Sequence, residues 1–175
     1  RILFALVVLT AFTLIAAGPA EAGVSEETGE CLECHTESTM GIVKQWDKSN
    51  HWNVGVGCYE CHKAEKGDKD AMDHNGYTIA IIVSPRDCGR CHAEETEEQE
   101  ASHHADAGNI LNSADGLLGQ TVGGPPAVTV GCRQCHGSEV RVNRDGTLDA
   151  STWPNTGIGR INPDGSKGSC SACHT

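Results

Sequence analysis

The stretch Cys58-Tyr59-Glu60-Cys61-His62 carries the pattern that decides the fold: two cysteines separated by two residues, then a histidine. The same pattern occurs five times, at Cys31–His35, Cys58–His62, Cys88–His92, Cys132–His136 and Cys170–His174. Together the motifs use all ten cysteines: Cys31, Cys34, Cys58, Cys61, Cys88, Cys91, Cys132, Cys135, Cys170 and Cys173. A pattern that leaves no cysteine over indicates one chemistry repeated five times.

The C-x-x-C-H pattern is the attachment signature of c-type haem. The two thiols form thioethers with the porphyrin vinyl groups, and the adjacent histidine becomes the proximal ligand of the iron. The sequence therefore predicts five covalently attached haem c groups. Their proximal ligands are His35, His62, His92, His136 and His174.

Zinc, disulfides and a redox-active dithiol are the alternatives for a chain this rich in cysteine. Two C-x-x-C units can supply four thiolates to one zinc ion, but five units do not pair evenly. Disulfides suit an exported protein, yet they require neither this spacing nor a histidine after every second cysteine. A thioredoxin-like pair needs one motif in a βαβ context, which is missing. We therefore interpret the motifs as haem sites.

The low apolar content fits an interior made of haem. Hydrophobic residues make up 38% of the 175 residues, but outside residues 1–22 and the cysteines they make up only about a quarter. That fraction ordinarily indicates a weak core. We expect porphyrin faces to fill the interior of a multihaem cytochrome c fold that is mainly α, with extensive loops and little or no β-sheet.

The charge and the first residues bear on partners and location. A net charge of −11 argues against nucleic acid as a partner, because phosphates must be neutralised by Lys and Arg. Residues 1–22 combine an apolar run, Ile2–Ala17, with Ala20-Glu21-Ala22, which predicts a signal peptide cleaved after Ala22. A retained membrane anchor needs about 20 apolar residues, and this run is shorter. We expect a periplasmic or extracellular protein, with residues 23–175 as the multihaem domain.

The histidines are one too few for two histidine ligands on each of five irons, since the chain has nine. Besides the proximal ligands, the candidate distal ligands are His51, His74, His103 and His104. All of them precede residue 105, so the fourth and fifth motifs have no distal histidine nearby in the sequence. The remaining position is open or is filled by Met40, Met72, a lysine or a histidine from elsewhere.

Composition also predicts where helices and loops lie. Residues 40–48 should form a short helix beside the first haem. Residues 93–107 should form a longer one, because strong helix formers run there without Gly or Pro. The glutamates of the second helix should form a solvated face. The glycine-rich residues 108–131 predict an extended connection. His74 is expected in a loop between the second and third motifs.

The segment between the last two motifs carries two turn signals, Asn143-Arg144-Asp145-Gly146 and Asn162-Pro163-Asp164-Gly165. They predict a small hairpin or a long loop over the fourth haem. Gly157-Ile158-Gly159 is not followed by lysine, so we do not interpret it as a phosphate-binding loop.

The order of the motifs and the segments that link them resembles the N-terminal half of the octahaem hydroxylamine oxidoreductases. The resemblance rests on Trp46-x-x-Ser49-x-His51 after the first motif, Asp73-His74 after the second, an acidic helix after the third, and the segment from Trp153 to Ser166 before the fifth. It covers nearly all of residues 23–175.

This resemblance implies a catalytic haem at the fourth motif, with its distal face open to substrate. His136 is then the proximal ligand of the active-site haem, attached by Cys132 and Cys135. The family has eight haems in each chain, mostly bis-histidine, and it typically forms trimers. The chain begins at Arg1 and stops one residue after the fifth motif, so we expect an N-terminal part of a longer protein, inactive by itself.

Two functions from different classes follow. The first is an exported oxidoreductase that acts on hydroxylamine, nitrite or similar small nitrogen compounds and exchanges electrons with a cytochrome or a quinone-linked protein. The second is a non-catalytic multihaem electron-transfer cytochrome with every iron six-coordinate.

Overall fold

The computed structural model describes residues 23–110 and 114–174. The signal peptide predicted at 1–22 lies outside these residues. The described chain is mainly helical with long loops and one two-stranded sheet, which confirms the predicted fold class. The chain divides into two compact units, Arg1–Gly57 and Cys58–Thr175. None of the helices in the described ranges is long and apolar enough to span a membrane.

The described part of the first unit consists of helices α1 (Glu26–Ser38), α2 (Met40–Trp46) and α3 (Asn50–Asn53). The Ser25 side chain begins α1 by accepting a hydrogen bond from the backbone N–H of Thr28 at 3.2 Å. Glu26 and Glu27 lie in the first turn, where their negative charges interact favourably with the positive end of the helix dipole. Helix α2 confirms the short helix predicted at 40–48.

Two tryptophans close the first unit. The Trp46 indole donates a hydrogen bond to the Val56 carbonyl at 3.0 Å, and its ring meets Trp52 edge to face with centroids 4.9 Å apart. Gly57 lies so close to the buried Thr28 that a Cβ there would overlap the threonine side chain. The first turn of α1 therefore packs against the end of the unit.

The second unit begins with helix α4 (Cys58–His62) and a hairpin of strands β1 (Ala71–His74) and β2 (Tyr77–Ala80). The strands are antiparallel, with His74 opposite Tyr77. Both turn residues, Asn75 and Gly76, have positive φ angles, as a two-residue hairpin turn favours. The prediction that His74 lies in a loop is therefore wrong: it ends β1.

Three short helices surround the third motif: α5 (Pro85–Cys88), α6 (Ala93–Glu100) and α7 (Ala107–Ile110). The single helix predicted at 93–107 is wrong, since α6 ends at Glu100. The Ser102 hydroxyl and backbone N–H both donate to the Gln99 carbonyl, at 2.6 and 3.0 Å. Serine thus takes a carbonyl that helix continuation would use.

Helix α5 starts with a reciprocal cap. The Ser84 hydroxyl accepts from Asp87 N at 3.4 Å, and the Asp87 carboxylate accepts from Ser84 N at 2.8 Å. Ser84 is buried and also donates to the Asp164 carboxylate at 2.7 Å. One side chain thus starts the helix of the third motif and ties it to the segment before the fifth.

We expect Ser84→Ala to lower the free energy of unfolding by about 2 kcal/mol, because it removes a helix cap and leaves a carboxylate oxygen without its donor. Chemical denaturation of the haem-loaded protein measures this loss. Ser38→Ala, at an exposed position on the last residue of α1, is the control and should change little. Equal midpoints for the two variants would contradict the prediction.

Residues 114–136 form helix α8 (Ala114–Pro126), a π-helix (Ala127–Cys132) and helix α9 (Arg133–His136). The extended connection predicted over 108–131 is therefore wrong for most of its length. Gly124 leaves the helical region with φ 75° and ψ 169°, which breaks α8 internally. The prolines that follow suit the start of a new helical stretch, where their missing N–H costs nothing.

The segment between the last two motifs forms two similar turns within a long loop, at the two places where turns were predicted. In the first, Asp145 accepts from the N–H and hydroxyl of Thr147, at 3.1 and 2.6 Å. In the second, Asp164 accepts from the same groups of Ser166, at 2.9 and 2.7 Å. Each turn is flanked by one antiparallel bridge, Val142 to Leu148 and Ile161 to Lys167.

The interior contains few apolar side chains. Among the described residues, the buried hydrophobic ones are Ala80, Ile82, Ala105, Ala107 and Val140. Polar and charged residues are buried in larger number: Thr28, Asp70, Ser84, Thr152, Asn155, Arg160, Asn162 and Ser169. An interior of this kind fits a fold whose apolar surface comes from porphyrin.

Candidate haem sites and the fourth motif

Each C-x-x-C-H motif occupies a helical turn. The second motif is α4, the first lies within α1, and in the third and fifth the histidine N–H bonds to the carbonyl of the first cysteine, at 2.9 and 3.0 Å. Residues three apart on a helix share a face, so each pair of thiols is placed side by side. All ten cysteines are free of disulfides. This donor set fits haem c at every motif.

Two proximal histidines, His35 and His62, are held by Nδ1, as iron-binding histidines usually are. His62 Nδ1 lies 2.9 Å from the Ala80 carbonyl, and His35 Nδ1 lies 2.9 Å from the Thr39 hydroxyl. Anchoring through Nδ1 orients the ring so that Nε2 is the nitrogen for iron. His136 Nδ1 is buried and has no hydrogen-bond partner, so the fourth motif differs from these two.

The second and third motifs are joined by Arg90, which lies within the third. Its guanidinium donates to the carbonyls of Glu60, Cys61 and Lys63, at 3.1, 3.1 and 3.0 Å. It also pairs with Asp87 at 3.2 Å. A side chain between the two cysteines of the third motif therefore fixes the position of the second motif beside it.

The third and fifth motifs meet at their first cysteines. The thiols of Cys88 and Cys170 hydrogen-bond to each other, which raises the pKa of Cys88 and lowers the pKa of Cys170 to about 6. Burial raises the pKa of Cys61 in the neighbouring second motif. The second, third and fifth motifs therefore form one cluster.

The fourth motif rests on backbone contacts. Ile158 N donates to the Cys135 carbonyl at 2.9 Å, and Gly159 N donates to the His136 carbonyl at 3.0 Å. A Cβ on Gly157 would overlap the N and Cα of Gly137, which itself has a φ of 81°. Gly157-Ile158-Gly159, which resembles part of a phosphate-binding loop in sequence, thus supports the backbone of the proximal histidine.

The candidate distal histidines are distributed over both units. His51 lies in α3 of the first unit, and His74 ends β1 in the second. His103 and His104 are exposed in the turn between α6 and α7. Their pairing with individual haems stays a prediction. In the described ranges, no group of three or more His, Cys, Asp or Glu side chains forms a metal site of its own.

Sequence reasoning missed a buried polar network built on Arg160, which donates to Asn162, Asn155 and Val83. Asn155 in turn donates to the carbonyl and hydroxyl of Ser138, at 3.1 and 2.9 Å. A lone arginine in a glycine-rich segment gives no periodic signal.

Comparison with known proteins gives concordant results. Residues 18–175 match the family described as outer membrane cytochrome MtrC/MtrF-like, domains II/IV. A solved structure titled "Hypothetical multiheme protein" superposes with a TM-score of 0.76 and 32% sequence identity, covering 87% of this chain and 39% of that one.

A curated relative from Kuenenia stuttgartiensis is described as a probable nitrite reductase-hydroxylamine oxidoreductase fusion protein. It is 26% identical to this chain, over 61% of this chain and 16% of the relative. The chain thus spans well under half the length of either protein. The resemblance stated from sequence is supported at the level of multihaem cytochromes. The chain belongs to the MtrC/MtrF-like outer membrane multihaem cytochrome family.

Proposed function

We propose that this chain is part of an exported multihaem oxidoreductase that acts on small nitrogen compounds such as hydroxylamine or nitrite. The substrate binds at the fourth motif, and the clustered second, third and fifth motifs relay electrons to or from a redox partner protein. When bound, haem c carries one electron per iron, and an iron with an open distal side also binds small ligands. The signal peptide at 1–22 and a periplasmic or extracellular location belong to the same proposal.

The observation that carries the proposal is the ligand supply around the fourth motif. Residues 137–169 contain no histidine or methionine. Their one lysine, Lys167, is engaged with Asp106 at 2.6 Å, a contact that lowers the pKa of that carboxyl. The turns that follow His136 therefore offer no strong iron ligand, which favours an open distal side.

The Kuenenia relative is described as a probable nitrite reductase-hydroxylamine oxidoreductase fusion protein, which supports small nitrogen compounds as the substrate class. The acidic surface supports a basic redox partner, since opposite charges speed association between electron-transfer proteins. The exposed glutamates of α6 directly follow the third motif and contribute to this surface.

The test is a ligand titration of the haem-loaded chain followed by absorption and electron paramagnetic resonance spectra. We expect a high-spin ferric signal that cyanide and hydroxylamine shift, in an amount corresponding to one haem per chain. Spectra that are purely low-spin and indifferent to both ligands would overturn the proposal.

A non-catalytic electron-transfer cytochrome is the second candidate. The packing of three motifs into one cluster favours it, because a chain of closely spaced carriers is what conduction requires. Those same low-spin, unresponsive spectra, together with rapid reduction by a small dye, would support this function.

A further inference from the structure

Arg160 carries a positive charge into the interior, and the groups in direct contact with its guanidinium are neutral. The residue is only 4% exposed. Its guanidinium donates hydrogen bonds to three neutral oxygens: Asn162 Oδ1 at 2.6 Å, the Val83 carbonyl at 2.8 Å and the Asn155 carbonyl at 3.4 Å. No described carboxylate forms an ion pair with it. Arginine does not lose its proton in proteins, so the charge persists.

The guanidinium lies where the chain enters two haem motifs. The Val83 carbonyl directly precedes Ser84, which begins the helix ending at Cys88. On the other side, Asn162 donates to the Gly168 carbonyl at 3.0 Å, and Ser169 N donates to the Ile158 carbonyl at 3.1 Å, just before Cys170. Hydrogen bonds therefore hold Arg160 beside the residues that lead into Cys88 and, through Asn162, beside those that lead into Cys170.

Reduction of a haem iron by one electron lowers the positive charge at the haem, so a nearby buried cation stabilises the reduced form. At an effective dielectric constant of about 20, a unit charge about 10 Å away changes an equilibrium constant roughly tenfold. Two carboxylates oppose this effect: Asp164, on the turn before the fifth motif, whose charge interacts with Arg160, and the buried Asp70, whose pKa is raised by desolvation.

We propose that Arg160 is a redox-tuning residue whose buried charge raises the reduction potentials of the haems held by the third and fifth motifs. These two haems then form the part of the relay where electrons reside, and the neighbouring haems exchange with it. The inference rests on haem attachment at Cys88–His92 and Cys170–His174, and it is independent of the substrate proposed for the fourth motif.

The experiment is a potentiometric titration of the haem-loaded chain followed by haem absorbance, with haem content measured for every variant. The titration curve should resolve into five one-electron steps, one for each haem. We expect Arg160→Gln to lower the reduction potential of two of these steps by about 59 mV each, which corresponds to a tenfold change in the one-electron equilibrium. Arg160→Lys should keep most of the native potential. Arg141→Gln removes an exposed arginine and serves as the matched control with no shift.

Asp164→Asn should shift the reduction potentials in the opposite direction to Arg160→Gln. Removing this carboxylate leaves Arg160 less opposed, so the same two components should move to higher potential. A purely structural role for Arg160 predicts equal shifts for the Gln and Lys variants and none for Asp164→Asn, and that result would overturn the proposal. If Arg160→Gln yields no haem-loaded protein, native potentials in Asp164→Asn alone would still overturn it.

Discussion

Replacing Cys132 and Cys135 with alanine should remove one haem per chain and abolish the spectral response to hydroxylamine and cyanide. Both thioethers of the fourth motif are lost, so no covalent bond joins the porphyrin to the chain there. His136 Nδ1 lacks the hydrogen bond that anchors the rings of His62 and His35, so its imidazole is less firmly oriented than theirs. Haem content and ligand-induced difference spectra measure the two effects.

The matched control is the same double substitution at Cys31 and Cys34, in the first unit. It also removes one haem, but it should leave the ligand response intact, because the first motif belongs to a different compact unit from the fourth. A response that survives loss of the fourth motif, or that disappears with the first, would place the open iron elsewhere.

Gly157→Ala should lower the free energy of unfolding by about 3 kcal/mol, near the upper end for overpacking. The new Cβ would overlap the backbone N and Cα of Gly137 and would lie 2.8 Å from the carbonyl carbon of His136. Backbone atoms cannot rotate away as a side chain can, so the segment must shift together with the histidine.

Chemical denaturation of the haem-loaded protein measures this loss, and the spectrum of the fourth haem should change with it. Gly119→Ala in α8 is the control, since nothing lies within 4 Å of its Cβ position. Alanine favours a helix over glycine by up to about 1 kcal/mol, so this variant should be neutral or more stable. If Gly157→Ala is as stable as the control, the prediction is wrong and the backbones of Gly157 and Gly137 have room for a Cβ between them.

The haem motifs and the haem-cored fold class could be predicted from the sequence because covalent attachment demands fixed residues at fixed spacing. Helix α2 and the two turns after His136 followed from local composition in the same way. The helical path over 114–132 could not be predicted, since Gly123-Gly124-Pro125-Pro126 normally ends helices and only the bend at Gly124 reconciles them with this path.

The candidate site was predictable in its attachment residues and not in its supports. Gly157 and Gly159 allow close backbone contacts because they have no Cβ. No local sequence pattern shows which distant backbone they contact. Arg160 works through carbonyls contributed by residues far apart in the chain. Both features depend on long-range packing, which a local pattern does not encode.

The scarcity of apolar side chains in the described interior has a consequence for how the protein is made. The five small or medium apolar residues buried in the described chain give it little reason to collapse before haem is attached. Attachment and folding are then a single event, in which thiols must stay reduced and reachable on an open polypeptide until each is joined. The rate of haem supply, more than the intrinsic folding speed of the chain, would set how much protein a cell accumulates.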